Sequence, residues 1–203
     1  MQNEKQLTEL EMQSKGRKVF MLMVVFFVVP VIVVILMYQF NWKPNGKSLG
    51  ELVNPPRLIT SPKELSDDQG LALSDQFWKA KWSIVYMADH CEQTCLDKLH
   101  DLRQLHVSLY KDIDRAQRVL ITNTQDITKI KHDYPDLIVI DKSEANVSSL
   151  AQEFQIEAEN PMASNRIYLV DSLGYFMMSY PASFPLADMR KDITRLLRYS
   201  WAG

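Results

Sequence analysis

Twenty-two consecutive residues without a charge, Val19 to Phe40 (VFMLMVVFFVVPVIVVILMYQF), constrain this chain more than any other stretch of it. Coiled as a helix they extend about 33 Å, enough to cross the ~30 Å hydrocarbon core of a bilayer. A cleaved export signal fits less well, because its apolar core runs to about 7–15 residues and ends at a small-x-small site. Tyr38-Gln39-Phe40-Asn41-Trp42 stands there instead. The run is expected to be an uncleaved membrane span, with a kink at Pro30 of the kind that transmembrane helices tolerate.

Charge sets the expected orientation. Lys15, Arg17 and Lys18 crowd the N-terminal flank, whereas the other flank offers Lys43 and Lys47 beside the aromatic Tyr38 and Trp42. The positive-inside rule then puts residues 1–18 in the cytoplasm and the main domain across the membrane. In a bacterium the chain would sit in the inner membrane facing the periplasm; in an organelle it would face an intermembrane space. Beyond the span, 19 Lys and Arg stand against 22 Asp and Glu, so no basic surface for nucleic acid is implied.

Residues 41–62 hold four of the nine prolines and two of the six glycines and are expected to form an extended tether, leaving 63–203 as one globular domain. Asp67-Asp68-Gln69-Gly70 reads as a turn between two short edge strands. From Trp82 onward short apolar runs alternate with longer helical stretches, which predicts an α/β sheet with parallel strands. The strands are expected at 82–88, 118–123, 136–141, 166–171 and 175–180, and the helices at about 95–114, 124–132, 146–155 and 185–199. Asp171-Ser172-Leu173-Gly174 is a hairpin turn, so the last two strands should be antiparallel.

The only two cysteines, Cys91 and Cys95, sit where the strand Trp82–Ala88 runs into the first helix. Backbone N–H groups at a helix start favour thiolate over thiol, which makes such a sulfur a better nucleophile or metal ligand. Cys95, Leu99, Leu102, His106, Leu109 and Ile113 share one stripe, so Cys95 should face the sheet while Cys91 precedes it on the loop. A disulfide and a shared metal are both geometrically open, as is a purely structural bridge pinning one loop. His90 could add a metal ligand or lower a thiol pKa, although a loop histidine is more often simply solvated. His106 reads as a core histidine, and His100 and His132 as surface residues. Among the methionines only Met162, in a loop before a strand, is a candidate soft ligand. No phosphate loop, dinucleotide fingerprint or zinc Cys/His array is present.

Taken together, the span, the proline-rich lead-in, KAKWSIVYMADHCEQTC and RIYLVDSLGYF resemble the Sco/SenC family of copper-handling factors in cytochrome oxidase assembly. The likeness covers roughly residues 50–200. It implies a thioredoxin-like fold with an added α/β insertion, matching the strand and helix expected at 124–141. It also implies that Cys91 and Cys95 are the thiolates that hold copper or exchange electrons. The family's third ligand is a histidine four residues ahead of the isoleucine of IYL, where this chain has Ala163. The proline that follows the family's second cysteine is replaced by Leu96. Two thiolates alone can hold linear Cu(I) but bind Cu(II) poorly, since Cu(II) prefers further nitrogen or oxygen ligands.

The expected function is therefore that of a membrane-tethered thioredoxin-like factor assisting cytochrome oxidase assembly, with an oxidase subunit or another assembly factor as partner. Cys91 and Cys95 would act by thiol-disulfide exchange, as an oxidoreductase, or by delivering Cu(I), with His90 or Met162 as possible extra ligands. The alternative is a non-catalytic scaffold whose cysteines form a permanent bridge.

Overall fold

The computed structural model describes residues 2–40, 48–60, 65–68, 70, 72–73, 76–140 and 144–200. Trp42, Lys43, Lys47, Gln69 and Asp141, which figured in the expectations above, lie outside the described residues. The chain divides into two units, Met1–Lys47 and Ser48–Gly203.

The first unit is a single helix, α1 (Gln2–Gln39), which runs on through Pro30. Its segment Gly16–Gln39, 24 residues long with a most apolar 18-residue window of mean hydropathy 3.4, none of it buried, is long and apolar enough to cross a membrane.

The second unit is built on a six-stranded sheet in the order β1-β6-β5-β2-β3-β4. Its strands are β1 (Glu51–Leu58), β2 (Trp82–Ala88), β3 (Ala116–Thr122), β4 (Ile138–Ile140), β5 (Ile167–Val170) and β6 (Tyr175–Tyr180). The helices are α2 (Gln93–Val107), α3 (Thr128–Asp133), α4 (Glu144–Glu153) and α5 (Leu186–Tyr199). Every residue of β2 is buried, as a central strand covered on both faces requires. Its alternate side chains serve two cores. Trp82, Ile84, Tyr86 and Ala88 pack with Cys95 and Leu99 of α2 and Ile193 of α5. Val85 and Met87 pack with Val147, Leu150 and Phe154 around α4 on the opposite face.

Three expectations need correction. Antiparallel pairing extends beyond the expected final hairpin: β2 is parallel to β3 and β3 to β4, but β5 is antiparallel to β2. The long connection after α4 returns the chain to the C-terminal end of β2, so β5 starts beside it, with Ile167 opposite Tyr86, and runs back toward Ser83. The β5–β6 hairpin is antiparallel as expected; at its turn the Asp171 carboxylate accepts the N–H groups of Leu173 and Tyr175, and Gly174 supplies φ +90°.

Second, the folded unit begins well before residue 63. Within the expected tether, Glu51–Leu58 is extended but forms the edge strand β1, paired antiparallel to β6 with a register shift between Leu52 and Arg57, where Pro55 and Pro56 lie. Third, the first long helix stops at Val107 instead of continuing to 114. Ser108 Oγ turns back onto the Leu105 carbonyl at 2.6 Å, Tyr110 takes φ +51°, and a short 3-10 helix, Tyr110–Arg115, follows. The Asp67–Gly70 turn is present as a hydrogen bond from Gly70 N–H to Asp67 O, closed by an isolated bridge between Ser66 and Ala72.

Candidate functional site

The site grows out of the end of β2. After Ala88 the chain turns through Asp89 and His90, passes Cys91 and the N-cap residue Glu92, and enters α2 at Gln93. Cys91 and Cys95 are joined as a disulfide, with Cα atoms 5.0 Å apart. Cys95, 3% exposed, lies on the stripe that α2 buries against the sheet, while Cys91 is half-buried on the loop ahead of it. One sulfur is thus fixed by the core and the other reachable from solvent. His106, on the same stripe, is a core histidine with Nε2 3.0 Å from the Ala116 carbonyl.

The loop is held from the end of β3, a parallel neighbour whose C-terminus lies level with that of β2, Ala88 being opposite Thr122. Asn123 N–H donates to Asp89 O at 3.2 Å, and Asn123 Nδ2 to Asp89 Oδ1 at 2.6 Å. Cys91 N–H donates to Thr124 Oγ1 at 2.8 Å. Thr122, Asn123 and Thr124 carried no weight in the sequence reading. The signal was available: a polar Thr-Asn-Thr follows directly on an apolar strand parallel to the cysteine-bearing one, so it must emerge at the same sheet edge.

The loop before β5 meets the site from the other side, Asp89 N–H donating to the Met162 carbonyl at 3.2 Å. Met162 therefore reaches the site through its backbone, whereas its side chain packs against the core on the α4 face and both cysteines belong to the α2 face. Ala163 is exposed in the same loop. His90 is 74% exposed on its side chain, and its Nε2 lies 3.7 Å from Asp89 Oδ2. Below the site the Tyr86 hydroxyl donates to Asn165 Oδ1 at 2.8 Å, and burial pushes its pKa up, so it stays protonated near neutrality.

As a copper site this donor set is incomplete. No group of three or more His, Cys, Asp or Glu side chains able to hold a metal occurs among the described residues. After reduction two sulfurs would suit two-coordinate Cu(I).

Residues 82–200 match the family described as transmembrane-like, thioredoxin-like, C-terminal domain. The chain belongs to that family. No curated protein matches it. This thioredoxin-like domain is similar in fold to solved Sco structures. Copper-bound ScoI of Arabidopsis thaliana is 18% identical with a TM-score of 0.56, over 75% of this chain and 100% of that one. Copper-bound Sco1 of yeast is 19% identical with a TM-score of 0.57, over 78% and 96%. BsSco, a member of the Sco family of cytochrome c oxidase assembly proteins in which a disulfide switch was identified, is 14% identical with a TM-score of 0.55, over 72% and 96%. The expected thioredoxin-like fold is the one observed.

Proposed function

We propose that this chain is a membrane-anchored thioredoxin-like factor that assists cytochrome c oxidase assembly by thiol-disulfide exchange at Cys91 and Cys95. The observation that carries the reading is the disulfide at the start of α2, with a reachable sulfur on a loop and a buried one on the helix. The disulfide switch and the assembly role of BsSco support it. In the dithiol form, Cys91 thiolate attacks one sulfur of a partner disulfide, the partner's other sulfur leaves as thiolate, and a mixed disulfide forms. Cys95 thiolate then attacks the Cys91 sulfur, the partner sulfur bonded to it leaves as thiolate, and the Cys91–Cys95 bond closes. Two electrons pass to the partner, which ends as a dithiol. Helix α1 is the anchor, with residues 1–18 in the cytoplasm and the second unit on the periplasmic side of a bacterial inner membrane.

A second reading, favoured by the copper held in the Arabidopsis and yeast structures, makes Cu(I) the cargo of the reduced pair. A redox titration of the full chain in detergent tests the first reading. An exchangeable pair has a midpoint well above about −300 mV, and one below that value marks a permanent bridge and the scaffold alternative. Copper counting on the reduced chain separates exchange from delivery. One Cu(I) per chain, lost when both cysteines become serine, supports delivery; none supports exchange.

A further inference from the structure

Between the rigid ends of β2 and α2, the loop carrying Cys91 has few restraints of its own. Asp89 is gripped by its carbonyl and carboxylate from Thr122 and Asn123 and by its N–H from Met162 O. His90 is solvated, and Glu92 caps α2 without a side-chain hydrogen bond. What seats Cys91 is the bond from its N–H to Thr124 Oγ1. That acceptor is itself braced. Thr124 N–H donates to Thr122 Oγ1 at 3.1 Å, the two hydroxyl oxygens lie 3.0 Å apart, and Thr122 is fully buried.

We infer that Thr124 is a positioning residue for the Cys91–Cys95 couple, its hydroxyl oxygen holding Cys91 where its sulfur bonds Cys95 and so weighting the equilibrium toward the disulfide. Sulfur–sulfur bonding demands narrow Cα and Cβ separations, which one flexible partner meets only if something fixes it against the other. When the bond opens, Cys91 loses its covalent tie to the helix and its N–H can turn to water. The hydrogen bond to Thr124 therefore counts most in the oxidised state. Removing the acceptor leaves an N–H without a partner in that state and relieves nothing in the dithiol.

The inference rests on the exchange reading, and its test separates the two. The full chain in detergent is equilibrated with graded mixtures of reduced and oxidised dithiothreitol. In each exchange the reagent's two sulfurs join into a ring, the protein S–S bond opens, and two electrons and two protons pass to Cys91 and Cys95. Thiol alkylation then reads the reduced fraction. Thr124→Val, which keeps the shape and lacks the acceptor, is expected to shift the equilibrium about tenfold toward the dithiol, about 30 mV in midpoint. Thr124→Ala should do the same, which covers a valine protein that does not fold. Thr124→Ser keeps the oxygen and should stay within about twofold of the parent. A shift below twofold in the valine and alanine proteins overturns the inference, as does a serine shift as large as theirs. An equal loss of thermal stability in the oxidised and reduced valine proteins, with no change in equilibrium, overturns it too. A parent midpoint in the range of permanent bridges overturns the exchange reading alone, because the difference between parent and valine proteins is still read.

Discussion

Asp192, buried on α5, accepts the backbone N–H of Gly50 at 2.9 Å. The same oxygen, Oδ2, accepts that of Leu49 at 2.7 Å, so one carboxylate holds the point where the chain enters the sheet. Hydrogen bonds to charged groups contribute about 1.5–3 kcal/mol each. Asp192→Ala is expected to destabilise the second unit by about 2–4 kcal/mol. Amide exchange should show the loss first in β1, whose protection is expected to fall ahead of that of β2.

The core on the α4 face is aromatic. Phe154 lies 5.9 Å from Trp78, 5.6 Å from Tyr168 and 5.2 Å from Phe176, centroid to centroid. Phe154→Ala should cost about 3–5 kcal/mol in chemical denaturation, since the three rings around it cannot collapse into the space it leaves. Because the cysteines pack on the other face, the redox midpoint of this variant is expected to stay at the parent value.

Acid sensitivity should centre on Asp136. Partial burial works against its charge, but Arg118 outweighs it through both hydrogen bonds and charge, and the carboxyl pKa falls below its ordinary value. Arg118 Nη2 lies 2.8 Å from each carboxylate oxygen, and the Arg118 side chain is 1% exposed. A depressed folded pKa means that the contribution is present above the unfolded value of about 3.9 and lost as pH falls below it. Stability of the parent is therefore expected to drop, as pH falls below about 3.9, more steeply than that of Asp136→Asn. At neutral pH the asparagine variant should already be weaker, because it leaves Arg118 buried without its counter-charge.

Opening the disulfide should cost little folding energy. The closed loop spans only Cys91 to Cys95, and the chain-entropy argument for so short a loop gives about 2 kcal/mol. Urea unfolding with and without reductant is expected to differ by about that amount, leaving the reduced domain folded, as the exchange proposal requires.

How far the sequence announced these features depends on whether the signal was local. Trp82–Ala88 and Tyr175–Tyr180 were legible residue for residue, because continuous apolar strands bounded by turn residues leave little choice. The stripe from Cys95 to His106 was equally plain, since helical periodicity says which side faces the sheet. Strand β1 was not, for Asn54-Pro55-Pro56 reads as a breaker and its pairing with β6 is set by tertiary contact, including the Asp192 bond. The direction of β5 was hidden for a similar reason, as periodicity marks a strand without saying from which end it is entered. At the site the cysteines stood out by their rarity. Thr124 did not, because its oxygen matters only once β3 lies parallel to β2.

The outer strand carries one more consequence. Pro55 and Pro56 have no N–H to offer, and the irregularity between Leu52 and Arg57 interrupts the ladder at the same place. A neighbouring copy therefore finds no unbroken row of donors along this margin to extend the sheet from. That discontinuity works against edge-to-edge polymerisation.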